Sequence, residues 1–195
     1  MKPRLSHAYV LSVTAEDRPG IVAAVSKTVQ DAGGNIDACS QTVVAGYFAL
    51  MMIISFERPI EPPAFEQALM SHHGLRTHVH AHVRPYQPIE APELSGAENF
   101  VVTCFGPDVP GVIYRFAALL ADKGINIVDL YGQLNEGQFV LISQVQIPAR
   151  WDIAMLQADL EALGRDQGYT VRLQHENIFI ATNQLRLGRV DTRKA

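Results

Sequence analysis

Sliding the 195-residue chain along itself by 91 positions lays one half on the other without a gap from Val10 to Phe56. Asp17 falls on Asp108, Pro19 on Pro110, Gly20 on Gly111, Asp31 on Asp122 and Gly33 on Gly124. Asn35-Ile36 meets Asn126-Ile127, and Gly46, Phe48 and Leu50 meet Gly137, Phe139 and Leu141. With Val10 on Val101 these make 11 identities in 47 positions, and they fall at turns and apolar positions. A match of that kind marks a duplicated structural unit, so the chain must fold as one pattern twice.

Each copy reads the same way. Tyr9–Thr14 alternates as a strand. A DxPG segment follows, then apolar residues at Val22, Val25, Val29 and Ala32, spaced as a helical stripe. Ile113, Phe116 and Leu120 repeat the stripe. Gly33 and Gly124 supply helix stops. Two strand-like runs, Asn35–Val44 and Tyr47–Phe56, meet near Ala45-Gly46, a hairpin signal repeated around Asn135-Glu136-Gly137. A second helix is predicted over Phe65 and Leu69 in the first copy and over Ile153, Leu156, Leu160 and Leu163 in the second. Closing strands are predicted from about Arg76 to Val83 and from Tyr169 to about Ile178.

The order β-α-β-β-α-β, twice, predicts an α+β fold of two tandem ferredoxin-like units, each an antiparallel sheet with both helices on one face. The boundaries expected are 5–84 for the first domain and 100–182 for the second. A proline-rich, acidic linker occupies 85–99, and 183–195 reads as a C-terminal tail.

Composition narrows the function classes. Apolar residues make up 48% and charged residues 18%, enough for two cores. A formal charge of −4 leaves no basic footprint for direct nucleic-acid binding. The longest apolar run, Tyr47–Ile54, is far short of the ~20 residues a membrane helix needs. The N-terminus lacks the features of a secretory signal, so a cytoplasmic protein is expected. Cys39 and Cys104 are expected as small buried hydrophobes in a reducing compartment.

The DxPG segment carries the chemistry. Asp17 is a candidate N-cap, Pro19 suits a first helical turn, and Gly20 lets a ligand or backbone come close. A helix N-terminus offers free N–H donors to an anion. Asn35 and Asn126 open the next strand; an amide there can accept from an ammonium group and donate to a carboxylate. A strand lying beside the first would put each asparagine near the helix start. An ordinary strand-to-helix turn accounts for the same residues without a ligand.

The stretches DRPGIVAAVSKTVQDAGGNI and DVPGVIYRFAALLADKGINI resemble the first halves of two ACT domains, amino-acid-binding modules that regulate metabolic enzymes or transcription. The resemblance covers both repeats. It implies an effector bound between modules, at the turn before the first helix and at the residue opening strand two. Carried over, that means Asp17, Arg18, Pro19, Gly20, Ile21 and Asn35 in the first copy. In the second it means Asp108, Val109, Pro110, Gly111, Val112 and Asn126. Arg18 against Val109 and Glu16 against Pro107 imply unequal sites.

Two such modules together resemble the glycine cleavage system transcriptional repressor family. That resemblance implies a non-enzymatic regulator, a small amino-acid effector (glycine or serine), and action through a transcription-factor partner. The alternative is a regulatory subunit of an amino-acid biosynthetic enzyme, with a metabolic enzyme as partner. Formyltetrahydrofolate deformylases begin with a similar module, but their catalytic domain has no counterpart in this sequence.

No cofactor and no metal are expected. His78, His80 and His82 alternate on one strand face, opposite Thr77, Val79, Ala81 and Val83, and could be read as zinc ligands. A solvated or interface face is the preferred reading, because no orienting partners can be named. Ala49, Met51 and Ile53 make the second face of their strand apolar too, which predicts burial against another surface and a homo-oligomer.

Overall fold

The computed structural model describes residues 2–75, 78–88 and 96–187. These fall into two compact units, 1–90 and 91–195.

In the first unit β1 (His7–Glu16), α1 (Ile21–Asp31), β2 (Asn35–Val44), β3 (Tyr47–Phe56), α2 (Pro62–Ser71) and β4 (His80–Pro85) follow in order. In the second, β5 (Glu98–Pro107), α3 (Val112–Asp122), β6 (Asn126–Asn135), β7 (Gln138–Ile147), α4 (Ile153–Arg165) and β8 (Thr170–His175) repeat them. A further helix, α5 (Glu176–Leu187), ends the described chain. The sheets are ordered β2-β3-β1-β4 and β6-β7-β5-β8, with every neighbouring pair antiparallel. This is the ferredoxin-like βαββαβ unit, twice, in an α+β chain.

Backbone constraints explain why the frame repeats so closely. Ala45 and Gly46 turn the first hairpin with φ of 49° and 85°, and Glu136 and Gly137 turn the second with 49° and 79°. Two positive φ values in succession match the right-handed strand twist, so both hairpins close tightly. Tyr9, Leu11, Val13 and Ala15 then alternate inward against Phe48, Leu50, Met52 and Ile54, under Val25, Val29, Phe65 and Leu69. Phe100, Val102, Cys104, Leu141, Val145, Phe116, Leu120, Leu156 and Leu160 build the second core.

Several expectations are corrected. The buried stripes begin at Ile21 and Val112, whereas Val22 and Ile113 are 43% and 42% exposed, and Ala32 is exposed. The core-facing stripe of each helix therefore starts one residue earlier than the apolar pattern predicts. Ile153 likewise lies at the rim, with Leu156 and Leu160 carrying the α4 contact. The first closing strand begins at His80; Arg76 and Thr77, placed in it by the sequence, lie outside the described residues. The second ends at His175, where Glu176 turns the chain into α5 rather than on toward Ile178 as strand. Residues 188–195 of the expected tail and 89–95 of the expected linker lie outside the described residues.

The helix α5 also corrects the expectation that one sheet face stays uncovered by helix. Glu176 Oε1 accepts from Gln144 Nε2 at 2.6 Å and Oε2 from Asn99 Nδ2 at 3.1 Å. Both partners stand on the open face of the second sheet, and Val101 beside them is buried. Cys39 is exposed on β2, against expectation, because β2 is the edge strand of its sheet and is exposed from Cys39 onward. Cys104 is buried, and burial pushes its thiol pKa up to about 12. No helix among the described residues is long and apolar enough to cross a membrane.

Candidate functional site

The β1–α1 turn is built by the glycine. Gly20 is the N-cap of α1, with φ 98° and ψ −8° in the left-handed region, and Gly111 caps α3 with φ 85° and ψ 7°. No side chain caps either helix. The predicted N-cap role of Asp17 is thereby overturned. A left-handed glycine reorients the chain three residues further on, so the Asp17 carboxylate is too early to reach the first turn. Ala24 N–H donates to Gly20 O at 2.9 Å as the first helical bond. Asp17 instead gives its own N–H to Gly46 O at 2.8 Å, tying the turn to the β2–β3 hairpin. Pro19 and Pro110 precede their helices rather than entering the first turn.

A Cβ placed on Gly20 would meet nothing within 4 Å, so the space before α1 is open. Ile21 and Val112 sit in the cores, 1% and 5% exposed, so their side chains face away from a ligand, and Val112 N–H is already given to Val109 O at 3.3 Å. The four N–H groups of a helix's first turn have no acceptor within the helix. Here no capping side chain supplies one.

Arginine distinguishes the two turns. Arg18 is half-buried, and its Nη2 is buried with no hydrogen-bond partner among the described residues. A buried guanidinium nitrogen without an acceptor is costly, about 1–3 kcal/mol or more. At the matching position Val109 packs against the second core. There Arg115, reaching back from α3, donates from Nη2 to Pro110 O at 2.8 Å, while its Nε is buried without a partner. The alignment pairs Arg115 with Ala24, so identity of position could not reveal it. Its place in the first turn of α3 could have, since a long side chain on a helix points back toward the helix N-terminus.

The asparagines are not beside these turns. β3 lies between β1 and β2, so the strand that Asn35 opens is not the neighbour of β1. Asn35 is level with Ser55, which pairs with Ala8 at the far end of β1 from Glu16. That separation is about 27 Å at ~3.4 Å per residue. Asn126, level with Gln146 and Asn99, repeats the arrangement. Within one unit, then, the turn and the asparagine stand at opposite ends of the sheet. Asn35 Nδ2 donates to Asp37 Oδ1 at 2.7 Å, while Asn126 Nδ2 lies 3.4 Å from Gln146 Oε1.

His80 and His82 project from the open face of β4, opposite Thr14 and Ser12. His78 precedes the strand and pairs through Nδ1 with Glu16 Oε1 at 2.9 Å. His82 Nδ1 lies 3.3 Å from Glu66 Oε1, which also accepts from Val83 N–H at 2.7 Å. Among the described residues no three His, Cys, Asp or Glu side chains are grouped to hold a metal ion.

This fold with these turns defines a class of regulatory module. Residues 9–68 and 98–174 both match the ACT domain, and the chain belongs to the ACT-domain family as a tandem pair. A UPF0237 protein of Methanococcus maripaludis is 39% identical over 83 residues, covering 42% of this chain and 92% of that protein. Another, of Corynebacterium diphtheriae, is 44% identical over 84 residues, covering 43% and 94%. Each corresponds to one unit, and neither name states an activity. Over both units, a protein of unknown function from Galdieria sulphuraria matches with TM-score 0.70 at 23% identity, covering 87% of this chain and 98% of that one. A candidate glycine cleavage system transcriptional repressor matches with TM-score 0.57 at 20% identity over the same shares. Identities this low establish shared fold alone. ACT domains are regulatory modules rather than catalytic ones.

Proposed function

We propose that this chain is a regulatory protein that binds a small amino acid at the β1–α1 turn of its first unit. The observation that carries the reading is the buried Nη2 of Arg18, without a partner among the described residues, on a residue two before the glycine that caps α1, a helix start that no side chain caps. A free amino acid's carboxylate would accept from both. Glycine and serine are the first ligands to test, because the sequence resembles the glycine cleavage repressor family. In the second unit Val109 and the Arg115–Pro110 bond leave a weaker site, so one ligand per chain is expected.

Asn35 joins such a site only through a second copy. The outer edge of β2 is unpaired within its sheet, and from Cys39 onward the strand is exposed, including Val43 and Val44. Ten residues without lysine or proline make an open edge of the kind that pairs with another chain. Antiparallel pairing of β2 with the β2 of a second copy brings each Asn35 opposite Val44 of the other. That position adjoins the hairpin to which the Asp17 turn is tied. The asparagine amide then meets the ligand's ammonium group, and the ligand stabilises one assembly over another. A cytoplasmic partner protein, a transcription factor under this reading, senses that difference.

A thermal-shift panel of free amino acids tests the reading. Ligand at about a hundred times its dissociation constant adds ~2.7 kcal/mol. At about 2–4 °C per kcal/mol the midpoint rises by several degrees. The shift is expected with glycine or serine and is expected to vanish in Arg18→Ala. No shift with any amino acid would overturn the proposal.

A further inference from the structure

A concavity lies on the open face of the first sheet. Glu16, Tyr47, Thr14, Ala49, His78 and His80 line its volume of about 470 Å³. Glu16 and Thr14 alternate away from buried Ala15 and Val13, so they stand on the face that α1 and α2 leave open.

His78 is the unusual member. Its φ is 50°, in the left-handed region, which for a residue with a Cβ costs about 1–2 kcal/mol. The second unit solves the same corner without that penalty. Thr14 pairs with His80 and Phe105 with Thr170, so the closing strands run 90 residues apart. The position of His78 is therefore Gly168, with φ 77°. Glycine is the ordinary residue for such a backbone. The first unit keeps an imidazole there, and its Nδ1 meets Glu16 Oε1. Outside the tight hairpin turns, where Ala45 and Glu136 share it, strain of this kind clusters at functional sites.

The second unit also lacks the rest of the lining chemistry. Pro107 stands at the position of Glu16, Gln138 at that of Tyr47 and Thr170 at that of His80. One repeat thus carries a carboxylate, two imidazoles and a phenol on a shared concavity, and the other carries none of them.

We infer that this concavity binds a small organic ammonium ion. Among the described residues Glu16 is the one carboxylate on its lining; a carboxylate accepts hydrogen bonds only, and the His78 contact occupies Oε1 while leaving Oε2 for a ligand donor. Tyr47, 68% exposed, offers a ring face on which a cation is attracted. Ala49 and Val44 supply the apolar wall for the ligand's carbon body. A carboxylate ligand meets Glu16 as a like charge. The concavity lies on the open sheet face, whereas the amino-acid site faces the start of α1, and the two adjoin at Val44 and the β2–β3 hairpin.

The test is a titration of the full chain with 2-phenylethylammonium and n-butylammonium, read by backbone amide chemical shifts. 2-Phenylethanol and phenylacetate are the neutral and anionic controls. Shifts are expected at Thr14, Glu16, Tyr47 and His80 with the ammonium ions alone. Glu16→Gln should weaken binding about tenfold or more, the worth of a charge-assisted hydrogen bond. His78→Gly, which removes the contact that positions the Glu16 carboxylate, should weaken it while leaving the thermal midpoint unchanged or higher, which separates a lost positioning contact from a damaged fold. The inference is overturned if no ammonium ion binds at about 10 mM. It is also overturned if the alcohol or the anion binds as tightly, if Glu16→Gln binds like the parent, or if the shifts map elsewhere.

Discussion

In the second unit Glu176 draws α5 onto the open sheet face through Gln144 and Asn99. In the first unit the matching positions are Ile53 and Ala8, which offer no polar anchor, and Met51 beside them is 56% exposed. The inner faces, by contrast, are nearly interchangeable, with the same hairpin geometry, the same left-handed cap and cores of similar make-up. Duplication has therefore held fixed what each unit needs to fold, while the open faces and the turn arginines have diverged. The apolar face of the first unit and the histidines at its corner are where the two copies have acquired separate chemistry.

The largest effects should be common to both units. Leu50 and Leu141 are matched and buried, 4% and 1% exposed. Leu50→Ala and Leu141→Ala should each cost about 2–5 kcal/mol, measured by denaturant unfolding. A negligible cost in one of them would break the equivalence of the cores. A smaller effect should be confined to the second unit. Glu176→Ala removes two hydrogen bonds to a charged acceptor and should cost about 2 kcal/mol, with faster amide exchange over 176–182. Unchanged exchange there would mean that α5 is held by other contacts.

The cysteines sharpen the contrast at the smallest scale. Cys39 should react with a thiol reagent in the native protein, and Cys104 only after unfolding. Burial holds the Cys104 proton on the folded chain to about pH 12, against 9.0 for the exposed thiol of the unfolded chain. Stability from this group is therefore intact below pH 9.0 and falls as pH rises toward 12, by about 1.4 kcal/mol per pH unit. The alkaline slope of Cys104→Ala should be shallower by that amount.

Much of the fold was legible because glycine and apolar spacing record backbone needs directly. Gly20, Gly33 and Gly46 each have positive φ, as do their partners 91 residues on. What the sequence hid depends on contacts between distant residues. Asp17 looked like a cap because caps are short acids before helices, yet the left-handed Gly20 moves the helix start beyond its reach. Asn35 was placed near the turn on the premise that β2 adjoins β1, and strand order cannot be read from spacing. Arg18 was singled out by resemblance alone; its unpaired Nη2 emerges only when the surrounding acceptors are in place. The strand expected through Ile178 failed because Glu176 finds its partners on the sheet behind it.

The central claim is that an amino-acid site is completed by Asn35 from a second copy, and mixing two inactive variants tests it most directly. Arg18→Ala and Asn35→Ala should each abolish binding of the amino acid that the thermal panel selects. Mixed in equal amounts and allowed to exchange, they should regain about a quarter of the sites, because each hybrid pair carries one intact site out of two. A mixture that stays silent, or Asn35→Ala protein that binds as the parent does, would contradict the account.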